Sequence, residues 1–180
     1  SEVAILRAQQ YYPKLIFKLE DWLKTDLPNH PLYDIIFSSN TLEHFSNPQS
    51  VLHTIANHTT QMIVLMVPFN EFQRIAEHQH TFLAQNIQVV PLSDFVLIHA
   101  KIIDTTHFMP TYWNGEQVLL IYANTHWVLK NGFPLSQIYL DTKLSKALGE
   151  KEQTAQVLSD QLVEKDLAMQ ALSGHLIEKE

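Results

Sequence analysis

Residues 33–45, YDIIFSSNTLEHF, constrain the fold more than any other stretch of the chain. Residues 33–38 are aromatic and β-branched, with Pro31 before them and polar residues after, which predicts a short strand. The run is apolar on both of its faces. Such a strand suits a parallel sheet covered by helices on both sides, so it is expected to be fully buried. Ser39, Asn40, Thr41, Glu43 and His44 come directly after it. In an open parallel sheet, ligands bind just beyond the carboxyl ends of the strands. The stretch therefore reads as a strand of an α/β domain ending in a polar tip where a small molecule would sit.

The flanking segments fill in that domain. Residues 1–12 read as an amphipathic helix opened by Ser1 and Glu2, with Val3, Leu6, Ala8 and Tyr11 on a rough apolar face and Pro13 as its stop. Residues 15–19 are a strand candidate, followed by Glu20, Asp21 and Trp22; taken alone, Asp21 is a turn residue and Trp22 a core residue. Residues 24–31 form a loop. Ser46 and Asn47 are N-cap candidates and Pro48 suits a first helical position. Val51, Leu52, Ile55 and Ala56 then mark the buried face of a helix reaching about His58. Residues 61–67 are the next buried strand, ended by Pro68. Residues 70–79 are polar, a short helix or a loop, in which His78 and His80 are spaced to share one side of an extended segment. Residues 82–87 suit a short helix. Residues 89–90, 95–103 and 118–122 are strand material, and Asn114-Gly115 is a turn signal between the last two, which predicts an antiparallel edge on an otherwise parallel sheet.

Charge and composition exclude several classes. A formal net charge of -7 with no Lys/Arg cluster argues against a phosphate-backbone binder, so no nucleic-acid partner is expected. The absence of cysteine removes disulfides and thiolate metal sites and fits a cytoplasmic protein. The longest strongly apolar run, residues 62–69, is far short of the roughly 20 residues of a membrane span. Glu77, His78, His80, His99 and His107 match no zinc-binding spacing such as H-E-x-x-H, so no metal site is expected from the sequence. No G-x-S-x-G elbow is present for a serine hydrolase.

Taken in order, YDIIFSSNTLEHFSNP, a helix, the strand QMIVLMVPFNE and then HQHTF resemble the second part of a class I S-adenosylmethionine-dependent methyltransferase. The resemblance covers residues 1–124 and implies a partial Rossmann-like fold, strands three to seven of a mostly parallel sheet in the order 3-2-1-4-5-7-6, with an antiparallel edge. It implies S-adenosylmethionine as cofactor. Asp21 would accept a hydrogen bond from the adenine amine and Trp22 would pack near the ring, roles that suit a carboxylate and a flat aromatic face. Ser39 and Asn40 would lie near the methionine end, and the segment from Leu42 to His44 would wall the transfer site. His44 is a candidate general base, because imidazole titrates near neutrality, and His80 is a second on a loop over the substrate. Each histidine also reads as a surface or satisfied core residue, and the chain has ten of them.

The glycine-rich turn that such a fold needs to approach its ligand is not found. The four glycines, at 115, 132, 149 and 174, follow no early strand and form no G-x-G. The resemblance places Ser1 just after the second strand. The chain is thus expected to lack the first third of the fold, to leave the strand at 33–38 on an open edge, and by itself to bind S-adenosylmethionine poorly and fold badly.

Composition changes near residue 135. Residues 1–126 are read as the α/β domain, 127–140 as a linker and 141–180 as a coiled coil or extended helix. Leu144, Leu148, Ala155, Leu158, Leu162, Met169, Leu172 and Leu176 follow three- and four-residue steps, with Lys151, Lys165 and Lys179 on the same seam. AQVLSDQLVEKD repeats as MQALSGHLIEKE two heptads later. Self-association through this helix is an expectation, against one amphipathic helix folding back on the domain. Two functions follow: methyl transfer to a small-molecule or glycan acceptor as part of a longer protein, or a non-catalytic α/β interaction module with an oligomerising tail. The glycan reading rests on the pairing of such domains with repetitive tails in large bacterial proteins that carry glycosyltransferase domains.

Overall fold

The computed structural model describes residues 1–21, 23, 31–87, 94–108, 115–146, 149–150 and 153–154. It is an α/β structure built on one mixed five-stranded sheet. Helix α1 (Glu2–Tyr11) is capped by the Ser1 hydroxyl, which accepts from the Ala4 N–H, but it buries none of its residues. Strand β1 (Tyr33–Ser39) leads through a 3₁₀ turn at Leu42–His44 into helix α2 (Pro48–Asn57). The Asn47 side chain caps α2 by accepting from the Ser50 N–H at 3.2 Å, and Pro48 opens it, as the sequence predicts. Strand β2 (Thr59–Pro68), strand β3 (Phe95–Asp104), strand β4 (Glu116–Asn124), helix α3 (Thr125–Asn131) and a short strand β5 (Tyr139–Leu140) follow.

The strand order is β1-β2-β4-β3-β5. β1 and β2 are parallel, while β4 runs antiparallel to both β2 and β3. The expected antiparallel pair is therefore present, with β4 inserted between its two neighbours. Ile63, Leu65 and Val67 of β2 pair with Tyr122, Leu120 and Val118 of β4 and share one face with them. Val51, Leu52, Ile55 and Ala56 of α2 join the same buried core. Burying each of these Leu, Ile and Val side chains contributes about 1.5–3 kcal/mol. Pro68 ends β2 as expected, although it still sits in register opposite Gln117.

Several expectations are corrected. β1 is not fully buried: Ile35 is 51% and Phe37 61% exposed. It is an edge strand paired only with β2, and among the described residues no helix covers the face that carries those two side chains. Residues 15–19 form no strand, because no described strand offers them a ladder, and Leu15, Ile16 and Leu19 are exposed. Residues 82–87 hold only a 3₁₀ turn at Ala84–Asn86, while Phe82 bridges to Phe69. Residues 70–79 form an irregular loop.

The sheet also extends past residue 126, into the stretch expected to be a linker. α3 ends at Gly132, whose φ of +64° is the left-handed conformation that glycine adopts freely. β5 then pairs with β3, and residues 142–146 form a helical turn whose Leu144 is 1% exposed in the main core. The first leucine of the heptad seam thus packs against the domain. The rest of the seam, Leu148, Lys151 and the positions within residues 155–180, lies outside the described residues. Among the described residues, no helix is long and apolar enough to cross a membrane.

Candidate functional site

The polar tip is fixed by the strand it terminates. Ser39 is the last residue of β1 in register, opposite Met66. Asn40 then takes φ +49°, a left-handed conformation that asparagine tolerates, and its N–H donates to the Met66 carbonyl at 2.8 Å. The Thr41 hydroxyl donates to the Ser39 carbonyl at 3.0 Å. These bonds turn the chain sharply into the 3₁₀ turn at Leu42–His44 and bury Leu42 and Glu43.

Two hollows flank this turn. A groove of about 930 Å³ runs along the open edge of β1; Ile35, Phe37, Leu42, Phe45 and Val51 line it, with Asp21, Ser38 and Thr41 among its polar groups. A smaller hollow of about 230 Å³ lies on the other side and includes Leu42, Pro48, His80, Phe82 and Asn86. Of the residues expected at a cofactor site, Asp21 and Leu42 come together in the larger groove. Ser39 and Asn40 stand at its end but do not line it; their neighbours Ser38 and Thr41 do. Trp22 lies outside the described residues.

The two candidate bases are separated, and neither lines the groove. His80 borders the smaller hollow, edge-on to Phe82 with ring centroids 4.8 Å apart, and its Nε2 is 3.3 Å from the Asn86 amide. Burial and then the Arg74 guanidinium hold its pKa below the ordinary imidazole value. His44 instead joins a cluster that the spacing of the sequence does not reveal. Nor do His78 and His80 share a side: His78 turns inward to that cluster and is buried.

The cluster is Glu43, His44, His78 and Glu71. The loop after β2 folds back so that the Glu43 carbonyl accepts from both the Gln79 and His80 N–H groups, at 2.7 and 3.0 Å. This brings His78 onto the 3₁₀ turn, with the His44 and His78 rings in an edge-to-face contact at 4.9 Å. His78 Nδ1 lies 2.6 Å from Glu71 Oε2 and His44 Nδ1 lies 3.1 Å from the Glu77 carbonyl. A carboxylate and a carbonyl only accept, so both Nδ1 atoms carry the proton in these bonds. The two Nε2 atoms each lie 3.9 Å from the same oxygen, Glu43 Oε1. Glu43 is 0% exposed, and among the described residues neither of its carboxylate oxygens has a hydrogen-bond partner. Burial raises its pKa above the ordinary carboxyl value; its own N–H, His44 and His78 pull the other way, less strongly, and Glu71 adds to the rise. The adjacent Glu-His of the LEH segment and the later His-x-His were both visible in the sequence, but only the fold-back of the loop makes them one group. The chain matches no known protein-family model and no curated protein.

Proposed function

We propose that the chain belongs to an S-adenosylmethionine-dependent methyltransferase unit acting on a small-molecule or glycan acceptor. The observation that carries this reading is the polar tip after β1, where the chain turns at Asn40 into Leu42–His44 at the carboxyl end of a parallel strand. The strand order supports it: β1-β2-β4-β3, with β4 antiparallel between its neighbours, is the 4-5-7-6 end of the order that the resemblance implies. In this reading Asp21 accepts from the adenine amine, Ser38 and Thr41 face the rest of the cofactor, and the turn at Leu42–His44 borders the acceptor. His44, exposed on that turn, is the better placed base. Methyl transfer from a sulfonium to an oxygen or nitrogen needs alignment and removal of one proton, which one imidazole supplies. The glycine-rich turn that would hold the methionine end is not among these 180 residues.

The exposed apolar face of β1, with Ile35 and Phe37, favours a second reading, a non-catalytic interaction module. Calorimetry with S-adenosylmethionine separates the two. The expected outcome is weak or no binding by this chain, binding by a longer version carrying the preceding sequence of its gene, and a loss of about 10–100-fold in that version on Asp21→Ala, since a hydrogen bond to a charged group contributes about 1.5–3 kcal/mol. Absence of binding by both overturns the methyltransferase reading and leaves the interaction module.

A further inference from the structure

We propose that Glu43, His44 and His78 bind a divalent transition-metal ion, with Zn²⁺ as the best fit, and that Glu71 positions His78 for it. The argument begins with what the three side chains do to one another. With its Nδ1–H given to an acceptor, each imidazole has its Nε2 3.9 Å from the same oxygen of a buried carboxylate. The buried Glu43 carboxylate, which has no hydrogen bond among the described residues, is thus aimed at a point where a positive charge would stabilise it. A proton shared directly between them does not fit, because 3.9 Å is well beyond the 2.7–3.2 Å of an N–H···O hydrogen bond.

A metal ion fits the spacing. One ligand atom from each of the three residues lies within 4.8 Å of the others. Tetrahedral bonds of about 2.0–2.2 Å put neighbouring ligand atoms about 3.3–3.6 Å apart, so an ion at the centre draws each imidazole nitrogen toward Glu43 Oε1 by roughly half an ångström. Two histidines and one carboxylate leave a fourth position for water or substrate, the donor set of catalytic rather than structural zinc.

The surroundings are those of a ligand set. His78 Nδ1 bonded to the Glu71 carboxylate, and His44 Nδ1 bonded to a backbone carbonyl, are the outer contacts that fix the tautomer and orientation of metal-binding histidines. Glu71 is itself held by the Ile75 N–H on Oε1. The Glu43 carboxylate, fully buried and aimed at this point without a hydrogen bond, is the second observation that sets the group apart from a surface cluster of acids and histidines. Access comes from one side: the His44 side chain is 42% exposed while those of His78 and Glu43 are enclosed. The ion's open position would therefore face solvent on the His44 side. With its Nε2 on the ion, His44 no longer serves as the base; a role in polarising an acceptor oxygen rests on the methyl-transfer reading, and uptake of the metal does not.

The test is titration of the chelator-treated chain with ZnCl₂ against a competing metal indicator, repeated with Co²⁺ for its visible absorption. The expected result is one Zn²⁺ per chain and a Co²⁺ band typical of low-coordinate nitrogen and oxygen ligation. Glu71→Gln should weaken Zn²⁺ binding about 10–100-fold, and Glu43→Gln and His44→Ala at least as much. Glu43→Gln keeps the buried volume and His44 is at the surface, so at least one variant retains the fold by circular dichroism. Absence of saturable one-to-one uptake by the parent chain overturns the proposal. So does unchanged affinity in a folded Glu43→Gln or His44→Ala variant, which would place the ion on other histidines. A chain that takes up Zn²⁺ but never S-adenosylmethionine, even when extended, retains this site and loses the methyltransferase reading.

Discussion

Asp104 shows how a local bond sets the behaviour of one residue. It ends β3, and its Oδ1 accepts from the Thr106 hydroxyl at 2.6 Å and the Thr106 N–H at 2.9 Å. The hydroxyl bond, then the N–H bond, hold its pKa below the ordinary 3.8, with His107 adding to the effect and slight desolvation opposing it. A carboxyl whose folded pKa is depressed binds fewer protons when folded than when unfolded. Its stabilising effect is complete above the ordinary carboxyl range and is lost as pH falls through the lowered folded value. An NMR titration should give an Asp104 midpoint below 3.8, and Thr106→Val, which removes the hydroxyl donor, should move it upward. Such an Asp-x-Thr turn is legible in sequence because its partners are two residues apart. The Glu43–His78 contact is not, because its partners come from different elements and meet only when the loop folds back.

At the scale of the element, the strands were legible and their phase was not. FVLIHAKII does not alternate cleanly between apolar and polar residues. A register shift between Leu97 and His99 explains why: Leu97 pairs with Tyr122 and His99 with Ile121, so Ile98 is the extra residue of a bulge. Phe95 and Leu97 are buried before it, and Ile98 and Ala100 after it. β4 has no such interruption, and its Leu120 lies between Leu65 and Ala100 at the centre of the sheet. Leu120→Ala should therefore cost about 2–5 kcal/mol, read as a lower denaturant midpoint. Leu129→Ala, on the exposed side of α3, should change stability by less than about 0.5 kcal/mol. α2 needed no tertiary information: its cap, its Pro48 start and its apolar positions all agree with what the structure displays.

For the whole molecule, the decisive feature is that the strand expected to be fully buried ends up at an edge of the sheet. An apolar, unpaired parallel edge is a site for adventitious pairing. Phe37→Lys, on the uncovered face of β1, should leave thermal stability nearly unchanged and raise the concentration at which the chain stays monodisperse in light scattering. A sharp loss of stability would mean that this face is packed in solution. Sequence alone determined the α/β class, the two parallel strands, the capped helix between them, the antiparallel pair and the polar tip after β1. Each of these depends on contacts or periodicities that span a few residues. Tertiary structure alone decided that residues 15–19 are not a strand, that the sheet reaches β5, and that the buried Glu43 meets His44 and His78. Those outcomes depend on which elements are present to pair or cover one another, and on long-range closure, neither of which a local pattern encodes.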